Sequence, residues 1–161
     1  MFPVLLTKPA DLIESFNLAQ FVQGYAECMI WANTENVTDP DDSIDPSWWQ
    51  SPSPSWALEA FSDNDSQYPG NPDYPSSKTQ IERAATQFVE SNIVRLTQIV
   101  AANLASPAYL GHNLALTANQ HGAGFWDTSF DTDGTLTDSA HNSGQIDCYW
   151  DSNDDSGIHC N

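Results

Sequence analysis

His112, His121 and Asp127 fall in the least ordinary stretch of this chain, the glycine- and aromatic-rich run from Gly111 to Asp127. Two imidazoles and a carboxylate are residue types that bind zinc or iron. Their gaps of nine and six residues, across a glycine loop, match no standard ligand spacing. A structural part is therefore expected of them. The ring of His121 would cap the preceding helix, and Asp127 would bind the backbone amides of the loop. Gly122 and Gly124 allow positive φ or close backbone approach. Phe125 and Trp126 would re-enter the core beyond them.

Other arrangements with known chemistry are missing or incomplete. Asp131-Thr132-Asp133-Gly134 has the middle of a calcium-loop pattern. With Gly134 at the sixth position, Ser129 stands first and Ala140 last, so the opening acid and the bidentate glutamate are lacking. An Asp-Gly turn is the better reading. There is no Gly-x-Ser-x-Gly elbow, phosphate loop or dinucleotide fingerprint. Carboxylate pairs abound, but in so acidic a chain they carry no information. No catalytic residue, metal or cofactor is assigned, and the chain is read as a protein that is not an enzyme.

Charge is the outlier. Among 161 residues, 22 acids face four bases, Lys8, Lys78, Arg83 and Arg95, for a net charge of -18. Such a field repels nucleic acid and anionic membranes and attracts basic partners. Nine acids lie between residues 34 and 77 with no base among them, and eight lie between 127 and 161. No apolar run is long enough to span a bilayer, and the N-terminus has no basic leader. Three scattered cysteines, Cys28, Cys148 and Cys160, make a poor disulfide framework. A reducing cytoplasm is the expected compartment.

The elements that must position these residues follow from periodicity. Thr7 and Pro9 open a short helix. Leu18, Phe21, Val22, Tyr25, Cys28 and Met29 recur at three- and four-residue spacing, which predicts a helix over 17–33, with Glu27 and Trp31 off its stripe. Residues 34–77 hold seven prolines beside Trp48, Trp49 and Trp56. They read as a long ordered acidic loop with one short helix near 55–61. The widest apolar stripe, Ile81 to Leu104, predicts a helix over 78–104, capped by Ser76 or Ser77. Ser106-Pro107 opens another over 106–119, its inner side formed by Tyr109, Leu110, Asn113, Leu114 and Thr117. A short helix over 136–141 and a hairpin, 145–150 with 158–160, complete the chain. The expected fold is α+β: one mainly helical domain with a small C-terminal β-hairpin.

Gly111-His112, Leu116-Thr117, Asn119 and His121-Gly122-Ala123-Gly124-Phe125-Trp126-Asp127 resemble a family of small, mostly uncharacterised proteins of bacteriophages and mobile elements. Those proteins carry a stretch like G-H-D-F-W-L-T-R-N-G-H-G-A-G-F-W-D. Phe21 to Trp31, and Ile146 to Trp150, are similar to the family's first helix and its end. The likeness covers about half the chain. Ala118 stands where the family has arginine, and Gln120 where it has glycine. The resemblance implies a phage or mobile-element origin, and hence the host cytoplasm, more than any reaction.

Charge and resemblance together lead to one expectation. The protein would bind and inhibit a basic nucleic-acid-binding protein of the host by presenting carboxylates where phosphates lie, as a counter-defence device. It would touch neither nucleic acid nor membrane. The contact residues expected are Asp39, Asp41, Asp42, Asp45, Asp63, Asp65, Asp131 and Asp133. His112, His121, Gly122, Gly124, Trp126 and Asp127 would hold the fold. A virion or interaction protein whose acidity serves solubility or salt adaptation is the alternative, and a metal-dependent enzyme the third.

Overall fold

A computed structural model describes residues 9–33, 56–120, 122–150 and 158–160. The stretch 34–55, with Asp39, Asp41, Asp42, Asp45, Trp48 and Trp49, lies outside the described residues, as do His121 and 151–157. The described chain is mainly helical: α1 (Pro9–Ser15), α2 (Leu18–Asn33), α3 (Trp56–Glu59), α4 (Ser77–Ala101), α5 (Pro107–Ala118) and α6 (Thr135–Ser143). A turn of 3-10 helix, Phe125–Asp127, separates α5 from α6. The strands β1 (Cys148–Trp150) and β2 (Ile158–Cys160) form an antiparallel hairpin. No helix among the described residues is long and apolar enough to cross a membrane.

Local signals account for the helix starts. The Ser76 hydroxyl accepts from the Thr79 amide at 3.3 Å, and that of Ser106 from the Tyr109 amide at 3.1 Å, each satisfying a first-turn N–H. Pro107 follows Ser106 at the first helical position, where its missing N–H costs nothing. The helix α6 starts differently. Asp131, from the preceding turn, accepts from the amides of Leu136 at 2.8 Å and Thr137 at 3.0 Å and from the Thr137 hydroxyl at 2.6 Å.

The helix α4 departs from the expected 78–104 in two ways. It is kinked at Asn92, whose φ of -126° and ψ of 18° are not helical. The Asn92 side-chain amide donates to the Phe88 carbonyl at 2.9 Å and to the Ser139 hydroxyl at 2.8 Å, so the kink is also the joint with α6. The helix then stops at Ala101. Asn103 takes a left-handed φ of 59°, and the Leu104 amide bonds back to the Ile99 carbonyl, which closes the end. Leu104, expected on the apolar stripe, is 55% exposed as a result.

The helix α5 is the centre of the molecule. Sequence spacing predicts one inner side, but every residue from Leu110 to Ala118 is buried. It crosses α2 at very short range. A Cβ on Gly24 would lie 2.1 Å from the Ala108 carbonyl oxygen, and one on Gly111 would lie 2.2 Å from that of Phe21. Only glycine permits that approach. Around this crossing the aromatic rings are layered. Phe21 stacks on Phe88 at 6.0 Å, and Phe88 on Phe125 at 5.6 Å. Each fully buried side chain of this size contributes about 1.5–3 kcal/mol.

The hairpin docks through its second strand. The Ile158 amide donates to the Ala60 carbonyl, and the Ser62 amide to the Ile158 carbonyl. Residues just after α3 thus extend the hairpin by a parallel bridge, Phe61 with Ile158. Ala57 and Phe61 are buried, so this end of the acidic segment belongs to the core.

Candidate functional site

The close crossing of α2 and α5 brings together two ionisable side chains 85 residues apart. Glu27 lies three residues beyond Gly24, and His112 follows Gly111. His112 Nε2 and Glu27 Oε1 are 3.1 Å apart, at 0% and 1% exposure. Sequence spacing puts Glu27 off the buried stripe, and the structure corrects that: its face is covered by α5. A carboxylate placed so deep needs a hydrogen-bonding partner, because an isolated buried charge is very costly. Between the same two segments of chain, the Asn119 amide reaches the Met29 sulfur at 3.0 Å. The two glycines, Gly24 one turn before Glu27 and Gly111 next to His112, each within an apolar helix, are the signal that would have found the pair.

The loop after α5 is built on Thr117. Its hydroxyl donates to the Asn113 carbonyl at 2.7 Å and accepts from the Phe125 amide at 2.9 Å. Gly124 lies against the same side chain, where a Cβ would come within 2.3 Å of the Thr117 oxygen. This fastening sends Phe125 inward, fully buried. Trp126 goes the other way. It is 54% exposed, not in the core as its bulk suggests. Asp127 is exposed too, and the described anchor of the loop is Thr117. Gln120 holds a left-handed φ of 57° just after the end of α5.

Two surface clefts flank this loop. One, of about 570 Å³, is lined by Leu116, Thr117, Gln120, Gly122, Trp126 and His141. The other, of about 430 Å³, lies between Tyr109, Asn113, Leu116, Gly124, Asp127 and Thr128. Among the described residues, no three His, Cys, Asp or Glu side chains converge as a metal site.

The carboxylates expected to meet a partner divide. Asp63 and Asp133 are exposed, and Asp133 pairs with Arg95. The Thr135 amide and the Arg95 guanidinium hold the Asp133 carboxyl below the usual range. Asp131 is only 3% exposed, with its oxygens occupied at the start of α6. Asp65 is committed to the fold as well. It accepts from the Ser77 amide at 2.8 Å and from the Ser77 hydroxyl, and lies 3.0 Å from His159 Nδ1. Burial pushes its carboxyl up, but the two Ser77 donors and His159 outweigh that and hold it below the ordinary range.

Serine, histidine and aspartate thus meet, but in the wrong order for a nucleophile. A serine nucleophile needs the imidazole next to its hydroxyl. Here the carboxylate lies between them, and the Ser77 oxygen also accepts from the Cys160 amide at 2.7 Å. The arrangement ties α4 to β2.

Every other described carboxylate, Glu27 apart, is exposed. Glu59, Asp63 and Glu82 gather around Lys78, whose ammonium donates to Glu59 at 2.9 Å. That hydrogen bond, against the opposing effect of burial, and the nearby acids raise its pKa. Compared with known proteins, the chain matches no family model, no curated protein and no solved structure, so what these surfaces do follows from their own chemistry.

Proposed function

We propose that this acidic chain binds a basic, nucleic-acid-handling protein and blocks it by presenting carboxylates in place of phosphates. One observation carries the reading: among the described acids all but Glu27, Asp65 and Asp131 face solvent, while Lys78 and Arg95 are engaged by acids. The outward field is therefore strongly negative, the condition for steering a cationic partner. The resemblance to phage-encoded proteins supports a host defence protein as the target. Asp63 and Asp133 remain as contact residues on the described surface. Asp39, Asp41, Asp42 and Asp45 complete the proposed acidic face.

The test is capture from a host lysate on the immobilised chain, with elution by duplex DNA or by salt. The eluted protein should bind nucleic acid, and its affinity for the chain should fall at least about tenfold as salt screens exposed charges. Changing Asp39, Asp41, Asp42 and Asp45 together to Asn should weaken the complex and leave the helices folded. A partner indifferent to both salt and DNA would rule out mimicry and favour the exposed Trp126 surface.

A further inference from the structure

We propose that Cys148 and Cys160 form a reversible disulfide site, closed by exchange with a small disulfide such as glutathione disulfide. The two residues are direct partners in the β1–β2 ladder. Their sulfur atoms are in contact at 3.0 Å, both as free thiols. Cross-strand neighbours of this kind can be joined without moving the backbone far. The odd cysteine of the chain is Cys28, buried on α2, which explains why a count of three hides a pair.

The two thiols differ in access. Cys148 is 7% exposed, and Cys160 is the more open. Cys160 therefore reacts first. Its thiolate attacks one sulfur of glutathione disulfide, breaking that bond, releasing one glutathione thiolate and leaving glutathione on Cys160. Cys148 then loses its proton and attacks the Cys160 sulfur, and the second glutathione departs. Two S–H bonds are lost and one S–S bond forms. The protein gives up two electrons and two protons, and glutathione disulfide becomes two thiols. The hydrogen bond with Cys160, burial, and the Cys160 charge all push the Cys148 thiol up. Capping Cys160 removes its thiolate charge, which leaves Cys148 freer to ionise for the second step.

The bond would fix β1 to the strand that the fold already holds. Cys160 is tied to α4 through Ser77, and Ile158 to the segment after α3. In a reducing cytoplasm the pair stays as thiols, so closure reports oxidation.

The experiment treats the full folded chain with glutathione disulfide, removes the excess, and counts thiols after unfolding. Three thiols should fall to one, with the mass lower by two hydrogens, and dithiothreitol should restore all three. Cleavage after an aspartate between residues 151 and 155 should leave the flanking peptides linked until reduction. Cys28→Ala should form the same link, and Cys148→Ser should stop at a glutathione adduct on Cys160. Three thiols persisting under oxidant, a link that includes Cys28, or a linked pair of chains would each overturn the site.

Discussion

Asp65 joins three parts of the molecule: the segment after α3, the start of α4 and β2. Replacing it by Asn turns one acceptor into a donor and sets it against Ser77 or His159. The expected loss is about 1–3 kcal/mol, since buried donors are left unmatched. The pH dependence has a definite sign. The folded pKa of Asp65 lies below its unfolded value of about 3.9. Its contribution is thus present above about pH 4 and is lost as pH falls through the folded value. A plot of Tm against pH should have a shallower acid limb for Asp65→Asn than for the parent chain; identical limbs would refute the role. At this scale the sequence is readable where a side chain acts on its own neighbours. Ser76 and Ser106 cap the helices that follow them, and their positions alone say so. Glu27, Asp131 and Trp126 are not readable in that way. Whether a carboxylate is a surface charge or a buried acceptor depends on what the rest of the chain lays over it.

The helix α5 carries the fold, and its packing depends on two residues with no side chain. A methyl group at position 111 would sit 2.2 Å from the Phe21 carbonyl oxygen and 2.6 Å from the Tyr25 amide nitrogen. Backbone atoms cannot rotate away, so α2 and α5 must separate. Gly111→Ala should therefore cost about 1–3 kcal/mol or more, although alanine is the better helix former. Urea unfolding measures it, and an unchanged midpoint would mean that the crossing is looser than described. Helix positions followed well from three- and four-residue periodicity, because that pattern is local. The kink at Asn92 did not, because it depends on Ser139, 47 residues away. Nor did the full burial of α5, since a helix covered on all sides has no polar face to break its pattern. The second strand falls where expected, but the first begins at Cys148, three residues after the expected 145, and the pairing of Phe61 with Ile158 joins segments that nothing in either sequence relates.

The whole molecule carries a net charge of -18, and its compact form holds those charges closer together than the unfolded chain does. Added salt should raise Tm steadily from low ionic strength to about 0.1 M, where the screening length is about 10 Å. If Tm fell instead, the ion pairs of Lys78 and Arg95 would outweigh the repulsion. The same surplus that favours a cationic partner thus works against the fold, and the buried core, with its stack of Phe21, Phe88 and Phe125, must overcome it. The place of α5 in the chain has a further consequence, for synthesis on the ribosome. The glycine face of α2 has no partner until α5 has emerged, and Glu27 must wait 85 residues for His112. At about 5–20 residues per second, that interval is on the order of ten seconds. Throughout it the face of α2 that α5 covers stays open on the nascent chain, and α4, which packs on α2 through Phe21 and Phe88, emerges only in the later part of the interval. Folding here is late and concerted, and a chaperone that shields helical apolar faces is the cellular factor on which the yield of this protein should depend most.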